Sequence, residues 1–474
     1  MKNNHLFSLR NVSLTAFAVT TLLLSSCTIG YNDDWNFSSG VKNVQLESPK
    51  AEDVTFTMNV EGTAIKVEWP VVLGARGYEF SLYNIDDPEN PVVVGEENRF
   101  IDGCSTECTV EEDTNYKVTI KALGNTNDNN KDAETATEVN YSTLVPSAGT
   151  IPSGSDIAQY FIDNPITSQD GEVAYDLEAG GEYTMSNIVD FGLQNVTIRG
   201  NKMNHSKVTF GKDARFVTQA GLKIKFIDFD CNAVEKGSSD AAFILLSPNP
   251  DESLKVASGE YVIKDPIAIQ SCNINDINRH IIYDNSKKYA VENFNINNSV
   301  LKINQSNTLI YFKSGSLINF TAKESTIYST VQAGNYFAQI NGNRPNKITG
   351  YSNGSFNFYN CTIYNIAYNK DFVNWNRYRG QSIITINFSK TIFVDCGRGD
   401  MTNKIMGNAN MSRQFDNNTY WYNGARSNDK YDTNTLTTDP GFANSAEGNF
   451  TVSGADQLEK RTGDPRWLPI LPEE

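Results

Sequence analysis

Ile269-Gln270-Ser271-Cys272-Asn273-Ile274 recurs with variation down the second half of the chain. Ile296-Asn297-Asn298-Ser299-Val300 follows it. Ala322-Lys323-Glu324-Ser325-Thr326-Ile327 and Phe358-Tyr359-Asn360-Cys361-Thr362-Ile363 come next. Weaker copies are Phe388-Ser389-Lys390-Thr391-Ile392 and Phe415-Asp416-Asn417-Asn418-Thr419-Tyr420. Each copy has an apolar anchor, two mostly polar residues, a small residue and then usually another apolar one. The anchors at 269, 296, 322, 358, 388 and 415 are separated by 27, 26, 36, 30 and 27 residues.

A second apolar run trails the anchors: Ile281-Ile282-Tyr283, Leu309-Ile310-Tyr311-Phe312, Phe337-Ala338-Gln339-Ile340, Phe372-Val373-Asn374-Trp375 and Ile405-Met406. Short strands at a roughly 20–50-residue period, with variable inserts, identify a solenoid. Two or more strands per turn and no helical periodicity make it a β-solenoid. One coil cannot bury its inward residues alone, whereas coils stacked at the ~4.8 Å spacing of paired strands can. Asn at the corners suits left-handed backbone and side-chain ladders. The competing reading is a β-sandwich with irregular loops.

The 474 residues leave room for two or three domains. With 39% hydrophobic and 20% charged residues there is material for a core. The formal net charge of −16 argues against nucleic acid as a partner. The charge is uneven. Residues 33–145 hold 22 acidic and 8 basic residues, whereas 340–430 hold 11 basic and 5 acidic. An anionic ligand would be steered to those late rungs.

Residues 1–27 read as a targeting segment, with Lys2 and Arg10 before an apolar core from Leu14 to Leu24. Leu24-Ser25-Ser26-Cys27 resembles a lipobox, which implies a diacylglycerol on the Cys27 sulfur and a membrane anchor through lipid only. Asn32-Asp33-Asp34 is similar to the export signal of Bacteroides-type lipoproteins, implying the outer face of the outer membrane. Residues 28–48 read as a tether.

Residues 49–145 alternate as antiparallel strands. Ala64-Ile65-Lys66-Val67-Glu68-Trp69 ends in Trp, Tyr78-Glu79-Phe80-Ser81-Leu82-Tyr83 begins with Tyr, and Thr114-Asn115-Tyr116-Lys117-Val118-Thr119-Ile120 follows. This pattern resembles a fibronectin type III β-sandwich, with Tyr116 as its tyrosine corner and Trp69 in its core. Cys104 and Cys108 are close enough in sequence to form a disulfide if the local turn permits.

Pro146, Gly149, Pro152 and Gly154 mark a boundary, and Asp156–Asp163 reads as a short helix capping the first coil of a solenoid domain over 150–474. Leu193-Gln194-Asn195-Val196-Thr197-Ile198-Arg199-Gly200 resembles an early coil of pectate-lyase-like right-handed parallel β-helices. Residues 232–262 read as a long insertion. The ending, Asp439-Pro440-Gly441-Phe442, Gly448-Asn449-Phe450-Thr451-Val452 and Gly463-Asp464-Pro465-Arg466-Trp467, is similar to a family that joins a lipoprotein signal, a fibronectin-like domain and a pectate-lyase-like β-helix. That resemblance implies an all-β protein of a Bacteroides-type glycan-utilisation system, working with an outer-membrane transporter.

Cys272 and Cys361 share a rung position with Ser299 and Ser325 between them, so they read as buried free thiols. No Cys/His cluster suggests zinc. His205 and His280 lack the partners of a nucleophilic triad. A polysaccharide lyase of the pectate-lyase type would need Ca²⁺ held by carboxylates and an Arg or Lys base. The candidates are Asp228 and Asp230 for the metal, and Arg398 and Asp400 for base and ligand.

The long steps after 322 and 358 place Arg344, Trp375, Arg377, Tyr378 and Arg379 in inserts, with Trp421 and Tyr422 a rung or two later. Inserts on a solenoid tend to gather on one face. The aromatics could stack on sugar rings and the arginines fork onto uronate carboxylates. The preferred expectation is capture of an acidic plant polysaccharide without cofactor. A calcium-dependent lyase is the alternative, and an adhesive surface protein the third.

Overall fold

A computed structural model describes residues 40–59, 62–167, 171–235, 241–304, 307–427 and 429–470. Cys27, Asp33 and Asp34 lie outside the described residues. The chain divides into two compact units, 1–144 and 145–474.

In the first unit a three-stranded antiparallel sheet (Thr55–Met58, Ala64–Glu68, Ser105–Thr109) faces a five-stranded one built on Ala75–Asn84 and Asn115–Gly124. Residue alternation explains the pairing. Ile65, Val67 and Trp69 from one sheet meet Tyr78, Phe80, Tyr116, Val118 and Ile120 from the other. Trp69 stacks on Phe80 at 5.9 Å, and the Tyr116 hydroxyl accepts a bond from the Glu111 N–H at 2.7 Å.

Residues 41–48 depart from the tether expected over 28–48. Leu46 N–H donates to Lys131 and Lys131 N–H donates to Val44, so the segment adds to this unit and buries Leu46. Its Val44-Gln45-Leu46 alternation is the sequence reason. Cys104 and Cys108 are both free. The strand Ser105–Thr109 is extended, so four residue steps put them ~13 Å apart, beyond disulfide reach.

The second unit is a parallel β-solenoid of about ten turns, with three sheets along its length. The first sheet carries the anchors. Ile269 pairs with Ile296, Ile296 with Ala322, Ala322 with Phe358, Phe358 with Phe388 and Phe388 with Phe415. The second sheet follows across a two-residue corner. The third contains His280–Tyr283, Ile310–Phe312, Ala338–Ile340 and Val373–Asn374. A single apolar column runs through the interior from Ile151 to Tyr420.

Two expectations are corrected here. Ile405 and Met406 end a helix, Met401–Met406, that takes the place of a third-sheet strand. Residues 232–262 are not all insertion, because Ala242–Leu246 is a fully buried third-sheet strand. The helix Ile157–Asp163 closes the first coil, N-capped by the Asp156 carboxylate on the Gln159 N–H at 2.9 Å.

From Phe226 onward each corner between first and second sheets holds one left-handed residue: Phe226, Ser271, Asn298, Glu324, Asn360, Lys390 and Asn417, with φ between 46° and 58°. The next residue points inward and hydrogen-bonds to the adjoining coil. Cys272 N–H donates to Ser299 Oγ at 3.1 Å, Ser299 N–H to Ser325 Oγ at 3.1 Å, and Thr391 N–H to Asn418 Oδ1 at 3.0 Å.

The C-terminal segment lies along the outer face of the second sheet. Phe450 packs on Tyr328 and Tyr364, Trp467 Nε1 donates to Thr326 Oγ1 at 2.8 Å, and Gly463 N–H donates to Lys390. In the last coil Asp429 is buried, accepts from the Thr402 N–H at 2.7 Å, and leaves its second oxygen unpartnered among the described residues. Burial pushes its carboxyl up to about 7. Asp400 and Asp432 add to the rise and the Thr402 bond opposes it.

Two variants test this account. Ser325→Ala leaves the Ser299 N–H without its acceptor and should cost about 1–3 kcal/mol in denaturant unfolding; an unchanged midpoint contradicts the corner ladder. A carboxyl raised in the fold stabilises it below its unfolded pKa of roughly 4, and that contribution is lost as pH rises through the folded value. The difference in melting temperature between wild type and Asp429→Asn should therefore change sign or magnitude between about pH 4 and pH 8, with the variant the less pH-sensitive.

Candidate functional site

The strand Val373–Asn374 is two residues long, so the chain enters and leaves it within a short span. Lys370 and Asp371 precede it; Arg377 and Arg379 follow. Two corners of the solenoid therefore flank a narrow strip. Its outward residues are Tyr311, Gln339 and Asn374, paired rung to rung and each half-buried between fully buried neighbours.

Loops 341–353 and 375–383 form one bank. Arg344 Nη1 donates to Gln381 Oε1 at 2.7 Å and Nε to Asn346 Oδ1 at 3.0 Å. Arg377 Nη1 donates to Asn343 Oδ1 at 2.8 Å, and Arg379 Nη2 reaches the Asn403 carbonyl at 3.4 Å. Arg344 and Arg377 thus reach across between the two loops in opposite directions, and Arg379 reaches the coil that follows. All their partners are neutral. Arg377 and Arg379 are exposed, and none of the three pairs with a carboxylate among the described residues.

Trp375 and Tyr378 are not a sugar platform. They are 2% and 1% exposed, stacked on each other at 5.8 Å inside the core. Trp375 Nε1 donates to the Ile405 carbonyl at 2.9 Å, and the Tyr378 hydroxyl to Leu317 at 3.0 Å and Asn343 at 3.1 Å. Strand alternation sends Val373 in, Asn374 out and Trp375 in again. Burial raises the Tyr378 hydroxyl strongly.

The opposite bank holds Tyr368, Lys370, Arg398 and Asn423. Tyr422 stacks on Tyr368 at 5.6 Å, and the Tyr368 hydroxyl donates to Asn423 Oδ1 at 2.9 Å. Trp421 is separate, packed against the cluster of Ile392, Val394, Val452 and Leu468 under the C-terminal segment. The aromatic platform expected from Trp375, Tyr378, Trp421 and Tyr422 is thus dispersed, with only Tyr422 left beside the strip.

Arg398 and Asp400 do not converge. Arg398 closes on Asp371, with Nη2 to Oδ1 at 2.7 Å, while Asp400 Oδ1 accepts from the Lys430 N–H at 3.0 Å. The Asp228 carboxylate meets His205 Nδ1 at 3.0 Å and Asn273 Nδ2 at 2.7 Å. Burial works to raise it, and those two contacts hold it below the usual carboxylate range. Asp230 accepts from the Asn232 N–H at 2.9 Å. Among the described residues no group of three or more His, Cys, Asp or Glu is placed to hold a metal.

Sequence reading missed Gln339, Asn374, Asn343 and Gln381. The first two were available as single polar residues between inward apolar ones. Asn343 and Gln381 lie in irregular loops, where no periodicity marks them.

Three protein families match successive parts of the chain, each described as a domain of unknown function: DUF4992 over residues 1–180, DUF4957 over 181–330 and DUF5123 over 356–467. No curated protein matches. Among solved structures, the chain is similar to pectate lyase PelI from Erwinia chrysanthemi in complex with tetragalacturonic acid. Identity is 10% over 81% of this chain and 97% of that one, with a TM-score of 0.18. It is also similar to the family 28 exopolygalacturonase of Yersinia enterocolitica, at 9% identity over 79% and 100% of the two chains and a TM-score of 0.14. Similarity this low supports no residue correspondence.

If Trp375 is core, Trp375→Ala should destabilise the fold by about 3–5 kcal/mol in chemical denaturation. A loss within about 0.5 kcal/mol would restore it to the surface.

Proposed function

We propose that the protein captures an acidic polysaccharide, a polyuronate of the pectin class, along the strip between the two corners. The observation that supports this most is that Arg344, Arg377 and Arg379, on adjoining loops, have only neutral partners among the described residues of a chain of net charge −16. Guanidinium groups fixed by neutral acceptors keep their remaining donors free for carboxylates. Half-buried Tyr311, Gln339 and Asn374 supply a hydroxyl and two amides to sugar hydroxyls.

In this reading Cys27 carries the lipid anchor in the outer membrane, facing the exterior. The first unit is a fibronectin type III-like spacer, and the glycan passes to an outer-membrane transporter.

Affinity electrophoresis of the full chain in gels of polygalacturonate, alginate and a neutral glucan tests the proposal. Retardation is expected in the first two, falling with salt. The Arg344→Ala/Arg377→Ala/Arg379→Ala variant should bind about tenfold or more weakly while keeping its melting temperature. Equal retardation by the neutral glucan, or by the triple variant, contradicts it. A rise in ultraviolet absorbance from unsaturated products, with calcium present, would replace capture by lyase action.

A further inference from the structure

We propose that Glu260 is a positioning residue for the arginine bank, acting on Arg377 through Asn343; this rests on the reading of that bank as the anion site. Glu260 belongs to the segment that precedes the strand Tyr261–Ile263, distant in sequence from the bank. Glu260 is 4% exposed. Oε1 accepts from Asn343 Nδ2 at 2.7 Å, and Oε2 has no partner among the described residues.

Asn343 is held from behind as well. Its backbone carbonyl accepts from Ser316 Oγ at 2.7 Å and from the Tyr378 hydroxyl at 3.1 Å. Those bonds fix the main chain, and the side-chain amide takes its orientation from Glu260 and Arg377. Its nitrogen turns to the buried carboxylate, which accepts and does not donate, and its oxygen is left for Arg377 Nη1 at 2.8 Å. A carboxylate on the nitrogen polarises the amide and makes Oδ1 a stronger acceptor. One donor of Arg377 is thus tied down while the rest of its fork faces solvent. A cation ordered beforehand gives up less freedom when a carboxylate arrives. Tyr378, expected to stack on sugar, serves the site from below through the same asparagine.

Removing a negative charge beneath a cation bank has two opposite consequences. Acting only through space, Glu260 weakens polyanion binding, and its loss raises affinity. Acting as a positioner, its loss lowers affinity. Glutamine offers Asn343 either nitrogen or oxygen, so Glu260→Gln frees the amide to turn.

The test is a double-mutant cycle on the full chain, with binding to polygalacturonate measured calorimetrically and melting temperature as the folding check. Glu260→Gln should lower affinity about 3- to 10-fold in the wild-type background and have no further effect when Arg377→Gln is present. Raised affinity, unchanged affinity, or losses that multiply across the cycle each overturn the proposal. If Arg377→Gln alone leaves binding intact, the bank itself is not the anion site. Loss with Arg377→Gln but none with Glu260→Gln removes only the relay. Should Glu260→Gln fail to fold, Asn343→Ala cuts the same relay. It should show the same loss and the same non-additivity, and unchanged affinity there overturns the proposal.

Discussion

Rung-to-rung registration at the corner between the first and second sheets is the constraint on which the solenoid depends. Parallel strands two to nine residues long gain little individually, so the coils must be locked against sliding. A left-handed residue turns the chain, and the next residue buries a small polar side chain that accepts the backbone N–H of the coil before it. A slip of one residue would lose this acceptor and reverse the inward and outward faces together. Non-Asn residues such as Phe226, Glu324 and Lys390 hold the left-handed position despite its steric cost, so ladder and packing outweigh local preference.

That regularity made the fold readable. The anchors found by repeat spacing are the residues that pair in one column, because an inward position admits few side chains and recurs once per coil. Where a coil departs from the pattern the reading failed. The helix Met401–Met406 carries an apolar pair that fits a strand equally well, and Ala242–Leu246 was hidden among polar neighbours. Cys104 and Cys108 were near in sequence, but an extended strand made them distant.

The site was less legible, for a physical reason. Its cations were visible as a charge imbalance over 340–430, but the sequence alone did not separate aromatic residues on the surface from aromatic residues closing the core. Trp375 follows the alternation of its strand and is inside; Tyr422 lies where the strand ends and stays near the surface. The loops around Arg344 and Arg377 are therefore not free inserts. Tyr378 and Asn343 fasten them to the solenoid body, which gives the guanidinium groups fixed positions on successive coils.

Hydrogen–deuterium exchange of the full chain, with and without polygalacturonate, addresses the location of binding most directly. The account predicts slowed exchange in peptides covering 341–347 and 374–381, with the outer face of the second sheet and the segment 437–469 unchanged. Protection confined to that C-terminal segment, or to the first unit, would contradict it.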